Sequence, residues 1–77
     1  MALRHIGTDP NSEQGNCPNV WVDDATKDFV IQGWKVDGAT RGECLSIGAI
    51  PDHEDVIRIP ARMVDLIRKA CDAVEGP

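Results

Sequence analysis

The chain has 77 residues, 42% of them hydrophobic and 27% charged, with 8 basic and 13 acidic side chains and a formal net charge of −5. This length suffices for one small domain, and the apolar content excludes a disordered chain. Binding to a phosphate backbone depends on clustered Lys and Arg, so the acidic balance disfavours direct nucleic-acid binding and favours a basic protein partner. The nearest approach to a basic cluster consists of Arg62, Arg68 and Lys69, and it is interrupted by Asp65 and Asp72.

The chain carries no pattern of an exported or membrane protein. No apolar core of the required length follows Met1, and no apolar run approaches the roughly 20 residues of a spanning helix. The three cysteines, Cys17, Cys44 and Cys71, are compatible with a reducing compartment. We therefore expect a soluble cytoplasmic protein that does not bind membranes.

The N-terminal residues 1–16 predict a flexible arm. Residues 8–12 (TDPNS) and 15–16 (GN) are turn and loop formers, and the segment has little periodicity. The remaining residues, 17–77, are expected to form a single small domain.

A β-hairpin is predicted next. Residues 20–22 (VWV) and 29–36 (FVIQGWKV) are rich in β-branched and aromatic residues, and the polar residues 23–28 between them form a loop of hairpin length. Gly33 indicates a bulge or bend in the second strand. Alternation leaves both faces of that strand partly apolar. We expect the helix to cover one face and the N-terminal arm or a second subunit to cover the other.

The last third carries the clearest pattern. Residues 37–42 predict a turn, and residues 43–47 fit either a short helical turn or an irregular strand. Residues 56–59 (VIRI) alternate as a strand does, Pro60 suits the first turn of a helix, and Gly76 is a stop signal. From residue 60 to 74 apolar residues recur at helical spacing on one side: Met63, Val64, Leu66, Ile67, Ala70, Cys71 and Val74.

These elements predict an α+β domain. Its sheet is small, curled and antiparallel, with three to four strands, and one C-terminal amphipathic helix packs across a face of that sheet. This packing accounts for the apolar stripe of the helix. Cys71 within the stripe therefore needs no chemical role.

The cysteines and histidines have weak spacing for chemistry. A zinc site would use Cys and His ligands, yet the sequence has no C-x-x-C knuckle. A Cys44–His53 nucleophile pair would need hydrogen-bond reach and an orienting third group. We expect no catalytic residue, no metal and no cofactor. The alternative is a small metal-binding or thiol-reactive protein that uses Cys17, Cys44 and His53.

The two tryptophans, Trp21 and Trp34, are the stronger functional candidates. Both lie in the predicted hairpin and make up two of only three aromatic residues. They either face each other in the core or form an exposed anchor, since Trp is enriched in binding hot spots. We predict a partner-binding surface composed of Trp21, Trp34, Val20 and Val22.

Three runs resemble a known group of proteins: residues 16–20 (NCPNV), 32–36 (QGWKV) and 57–60 (IRIP), the last leading into a helix. The chain resembles small actinobacterial proteins that are distantly similar to the BldB-like developmental regulators. The resemblance covers roughly residues 16–74. It implies a non-enzymatic role through protein contacts, frequently as dimers, and beside helix-turn-helix regulators in the genome.

The sequence thus predicts a small, acidic, regulatory protein that is not an enzyme. It is expected to form a homodimer and to bind a protein partner such as a helix-turn-helix transcriptional regulator. Direct binding to DNA is a minor third hypothesis, which the charge disfavours.

Overall fold

The computed structural model describes residues 2–11 and 17–76. Its three-stranded antiparallel sheet, second small sheet and C-terminal helix confirm the predicted α+β class. The elements in chain order are β1 Leu3–Thr8, β2 Asn19–Asp23, β3 Phe29–Gln32, β4 Trp34–Lys35, α1 Gly38–Leu45, β5 Ile57–Arg58, a 3₁₀ turn Ala61–Met63 and α2 Val64–Glu75.

The main sheet has the order β1-β2-β3, with both pairs antiparallel. The predicted hairpin is present as β2 and β3. Its turn is held by Asp23, whose side chain accepts the backbone N–H of Ala25 at 2.9 Å and that of Thr26 at 3.3 Å. Lys27 completes the turn in the left-handed region, at φ 67°. The polar residues between the strands therefore fix the register by their own hydrogen bonds.

The prediction of a flexible arm at residues 1–16 is wrong for its first half. Leu3–Thr8 is an edge strand paired with β2 along its length, with a register shift between His5 and Gly7. Sequence periodicity misses this strand because a bulge interrupts its alternation. Residues 12–16, the second half of the expected arm, lie outside the described residues.

The core lies between the main sheet and α2. Its fully buried apolar side chains are Val20 and Val22 from β2, Met63 from the 3₁₀ turn and Ala70 from α2. The helix ends at Gly76, which has φ 74°, as predicted. The predicted apolar stripe is confirmed for most of its members. Val64 is the exception, since it is 48% exposed.

A partly buried ion pair joins the start of the last helix to the end of β1. Arg62 donates from Nε to Asp9 Oδ1 at 2.7 Å and from its terminal nitrogen to Oδ2 at 2.6 Å. The Asp9 side chain is fully buried, while that of Arg62 is 41% exposed. These hydrogen bonds from Arg62 lower the pKa of Asp9 against the opposing effect of burial, and Asp9 in turn raises the pKa of Arg62.

The strand predicted over residues 29–36 is two strands in two sheets. It breaks at Gly33, after which β4 pairs antiparallel with β5. A Cβ atom at Gly33 would lie 2.7 Å from the carbonyl oxygen of Arg58 and 2.9 Å from Ile59 Cγ2. The bend predicted at this glycine is therefore present, because the returning backbone occupies the space that a side chain would need.

The turn predicted at residues 37–42 is instead the start of α1. Asp37 is its N-cap and accepts the Thr40 backbone N–H at 2.8 Å, which lowers the pKa of Asp37. The two glycines of this segment favour a turn by propensity, but the Asp37 cap stabilises the first turn of a helix. No residue of α1 is buried.

Candidate functional site

The two faces of the main sheet differ in what they present. Residues directly opposite in antiparallel strands share a face. One face, covered in part by α2, contains Val20 opposite Ile31 and Val22 opposite Phe29. The other, here called the open face, contains two rows that cross all three strands: His5, Trp21 and Val30, and Thr8, Asn19 and Gln32. Every residue of the open face is exposed or half-buried.

The second of these rows is a hydrogen-bonded network centred on Asn19. Thr8 Oγ1 donates to Asn19 Oδ1 at 2.6 Å, and His5 Nε2 lies 2.9 Å from the same oxygen. The Asn19 amide nitrogen donates to Gln32 Oε1 at 3.1 Å and to the Cys17 carbonyl oxygen at 3.0 Å. Both amide hydrogens of Asn19 are thereby used, and its oxygen accepts from Thr8 and also from His5 in the tautomer that carries the proton on Nε2. The amide links the three strands.

Trp21 lies at the centre of the first row. The His5 ring centroid is 5.6 Å from that of Trp21, with the rings tilted at 52°. Val30 is opposite Trp21 on the next strand. The indole is half-buried among these neighbours. Trp21 is therefore held by its neighbours and partly exposed, and these two properties are common among aromatic residues in binding hot spots.

The other three residues of the predicted partner-binding surface do not join Trp21. Val20 and Val22 are fully buried, and their inclusion is wrong because alternation points them into the core. Trp34 lies in β4 opposite Arg58, in the second sheet, where it is half-buried. The two tryptophans therefore do not share a strand or a sheet, and neither is fully buried. The residues that sequence reasoning missed are His5 and Asn19, whose polarity gives no signal without the register.

The cysteines and histidines are dispersed. All three cysteines are half-buried, and His53 is a surface residue whose Nε2 lies 3.8 Å from Glu54 Oε2. Across the described ranges, no three His, Cys, Asp or Glu side chains come together as a group able to hold a metal ion. Cys17, Cys44 and His53 are thus not assembled into such a site.

Acidic side chains surround the hairpin end of the open face. Asp23, Asp24 and Asp28 lie in or beside the turn, with Lys27 as the one base between them. Arg4 pairs with Asp24 at 2.7 Å, at the surface. The edge of the open face beside Trp21 is therefore net acidic.

The chain has two further general properties. Residues 2–11 and 17–76 enclose no detectable pocket, and none of their helices has the length and apolar content that a bilayer crossing requires.

Comparison with known protein families, curated proteins and solved structures finds no match to the chain.

Proposed function

We propose that this chain is a non-enzymatic, cytoplasmic interaction protein that binds a basic protein surface, such as that of a helix-turn-helix regulator, through the open face. The observation that carries the proposal is Trp21, half-buried in the middle of a sheet face that α2 leaves uncovered. Large aromatic side chains contribute most where a partner can complete their burial.

The composition of the open face favours a macromolecular partner over a small polar ligand. A small ligand is usually held in a concave site by polar groups with spare hydrogen-bonding capacity. Asn19 uses both amide hydrogens and the Thr8 bond to its oxygen within the protein. What the row of Trp21 and Val30 offers instead is apolar area on a flat surface, which is the form that protein interfaces take.

The charge supports a basic partner. The formal net charge is −5, and the hairpin end of the open face is acidic. A Lys or Arg of the partner placed over the exposed part of the Trp21 ring would make a cation–π contact with the ring. The same cation would be attracted by the neighbouring carboxylates. The same negative charge opposes direct contact with DNA. The chain is therefore expected to contact the regulator protein itself and not the DNA that the regulator binds.

The test is a calorimetric titration of the full chain with a purified helix-turn-helix regulator from the same genome. Trp21→Ala is expected to weaken binding at least about tenfold, as for a hot-spot residue. The matched control is Trp34→Ala, which removes the other half-buried indole and leaves affinity unchanged. Wild-type affinity should fall as salt is raised, because the attraction between the surfaces is screened.

Three outcomes would contradict the proposal: no binding of the regulator, equal loss of affinity in both tryptophan variants, or binding to duplex DNA in place of the protein. Circular dichroism and thermal unfolding of both variants establish that each remains folded. The partner class and the surface are thereby tested separately.

A further inference from the structure

The outer edge of β3 presents backbone groups with which none of the described strands pairs. Asp23 donates its backbone N–H to the carbonyl oxygen of Asp28 at 2.8 Å, so these residues form a hydrogen-bonded pair at the hairpin end. Hydrogen-bonded and non-hydrogen-bonded pairs alternate along antiparallel strands. The N–H and C=O groups of Phe29 and Ile31 therefore point away from β2, whereas those of Val30 point towards it.

This edge lacks the features that prevent the addition of a strand. Proteins protect exposed edges with bulges, charges or proline, because free N–H and C=O groups otherwise recruit an extended chain. The other edge strand, β1, contains Arg4 and a register shift between His5 and Gly7. β3 pairs with β2 without a shift and contains no charge and no proline. It is therefore open to an extended backbone, whose own N–H and C=O groups match these at the same spacing.

The side chains of β3 favour apolar neighbours on the helix side of the sheet. Phe29 and Ile31 lie on that side at 47% and 38% exposure, opposite the buried Val22 and Val20. The principal helix contacts of the main sheet are those of α2 with β1 and β2. A strand added to β3 places every second side chain beside Phe29 and Ile31, where apolar residues would extend the burial of this row.

The hairpin end of the same edge selects a basic residue. Asp28 is exposed, and none of the described side chains forms an ion pair with its carboxylate. Arg4 is paired with Asp24 at 2.7 Å, and Lys27 is the one base of the turn. A Lys or Arg on an added strand, opposite Asp28, would meet this carboxylate. A second copy of β3 would bring no such residue, because the strand contains no base.

From these observations we infer that the outer edge of β3 binds an extended basic segment of the partner protein, which adds to the main sheet as an antiparallel fourth strand. The segment has the pattern apolar–x–apolar–basic. Its two apolar residues exchange hydrogen bonds with Ile31 and then Phe29, the residue between them lies opposite Val30, and the base lies opposite Asp28. In taking the partner to be a protein with a basic surface, this inference rests on the proposed function.

The added strand connects the β3 edge with the open face. Its middle residue extends the row of His5, Trp21 and Val30, and it lies two strand spacings, about 10 Å, from Trp21. One partner can therefore pair with β3 through a single segment and cover Trp21 with the structure next to that segment.

The probe is a short capped peptide with the central sequence isoleucine-threonine-isoleucine-lysine, titrated into the full chain by calorimetry. N-methylation of both isoleucines removes the N–H groups that donate to Phe29 and Ile31, and it should weaken binding at least about tenfold. N-methylation of the threonine is the matched control and should change affinity by less than about twofold, because this N–H points away from β3. Absence of binding by the unmodified peptide, or equal loss in both methylated peptides, overturns the inference.

Two measurements on the protein locate the site. Hydrogen exchange at the Phe29 and Ile31 amides should slow when the peptide binds, because these groups become paired. Ile31→Pro removes an outward N–H without removing a bond to β2, and it should weaken peptide binding at least about tenfold. Circular dichroism checks the fold of this variant, and exchange in the wild type decides if it unfolds. Protection of both amides in the free chain that rises with its concentration would indicate a second copy and overturn the inference.

Charge exchange tests the direction of the strand and the role of Asp28. Replacing the peptide lysine by glutamate should weaken binding about threefold, and Asp28→Lys should restore it for the glutamate peptide, because exposed ion pairs are individually small. A peptide with the order lysine-isoleucine-threonine-isoleucine should bind no better than the glutamate peptide. Failure of Asp28→Lys to restore binding, or tighter binding of the reordered peptide, contradicts the antiparallel arrangement.

Titration with the regulator separates this inference from the proposed function. If the regulator binds wild type and Ile31→Pro equally, and Trp21→Ala more weakly, the proposed function stands and the β3 site is rejected. If the peptides behave as expected and no regulator binds, the β3 site stands and the proposed function is rejected.

Discussion

Two regions of this molecule differ in how far they are packed. The core unit, made of β1 to β3, the 3₁₀ turn and α2, holds every fully buried residue of the described ranges: Asp9, Pro18, Val20, Val22, Met63 and Ala70. The outer unit, residues 33–59 with β4, α1 and β5, is described throughout and contains none. A chain of this size has enough apolar residues for one core, and it places them all in one half.

The outer unit therefore depends on the core unit for its stability. A two-stranded sheet and an eight-residue helix are each marginal without tertiary packing. The chain is also less compact than a typical domain of its length. Its radius of gyration is 13.9 Å, whereas a compact chain of this length has about 11.5 Å. We expect the core unit to determine global stability and the outer unit to open locally.

The largest effect is expected from Met63→Ala. Met63 is fully buried between α2 and the sheet, and truncation of such a side chain costs about 2–5 kcal/mol of unfolding free energy. The loss should appear in urea unfolding as a lower midpoint. Val64→Ala, at the next and largely exposed position, should change the free energy by less than about 0.5 kcal/mol. Similar losses at both positions would remove the distinction between core and surface at this turn.

The ion pair between the buried Asp9 and Arg62 should make the core unit sensitive to acid. The pKa of Asp9 is lowered in the fold by its hydrogen bonds from Arg62. Its contribution to stability is therefore present above the unfolded pKa, close to 3.8, and is lost as pH falls through the lower folded value. Asp9→Asn should reduce stability near neutral pH and weaken its decline in acid. Urea unfolding from about pH 7 to about pH 2 measures this.

A control variant in the outer unit, Asp37→Asn, tests whether the loss of stability in acid arises in the core unit. Asp37 also has a lowered pKa, from the Thr40 backbone N–H, but it caps a helix of the outer unit. Asp37→Asn keeps a capping oxygen and should leave global unfolding unchanged at every pH. If the two variants alter the pH profile equally, the ion pair of Asp9 has no special role.

A smaller and more local effect is expected from Gly33→Ala. The added Cβ would meet the Arg58 carbonyl oxygen at 2.7 Å, and such overpacking costs about 1–3 kcal/mol. Hydrogen exchange should show faster opening of β4 and β5, with β2 protected as in the wild type. Gly38→Ala, where the added atom meets nothing within 4 Å, is the control. Loss of protection in β2 would show that the two units unfold together.

The sequence predicts those parts of the fold that local patterns determine. The apolar spacing from Met63 to Val74 predicts the last helix, and the β-branched runs around the turn at residues 23–28 predict the hairpin. Gly33 marks the bend because no larger residue fits there. For the helix and the hairpin, the deciding pattern lies within a few positions of the residues that signal it. Gly33 is readable because a glycine within a strand pattern itself indicates a bend, although the backbone that requires it, at Arg58, is distant in sequence.

The remaining features depend on contacts between distant segments. Arg62 has the pattern of a solvent-facing helix residue, and its partner Asp9 is 53 positions away. β1 becomes a strand by pairing with β2, and Leu66 of α2 occupies the space above Gly7. The candidate site was predicted only as far as Trp21. Alternation already separates Trp21 from Val20 and Val22, but only the register shows that His5 and Asn19 are its neighbours.

The close approach at Gly33 has a consequence for how the chain can change. The two ends of the outer unit are close together in space, since a Cβ atom at Gly33 would be 2.9 Å from Ile59 Cγ2. The cost of closing such an excursion grows only slowly with its length. We therefore expect the loop at residues 46–56 to tolerate changes in length while the two flanking backbones keep their places. The molecule is a small scaffold with one replaceable loop, and a tag or sensor peptide inserted there is expected to leave the open face intact.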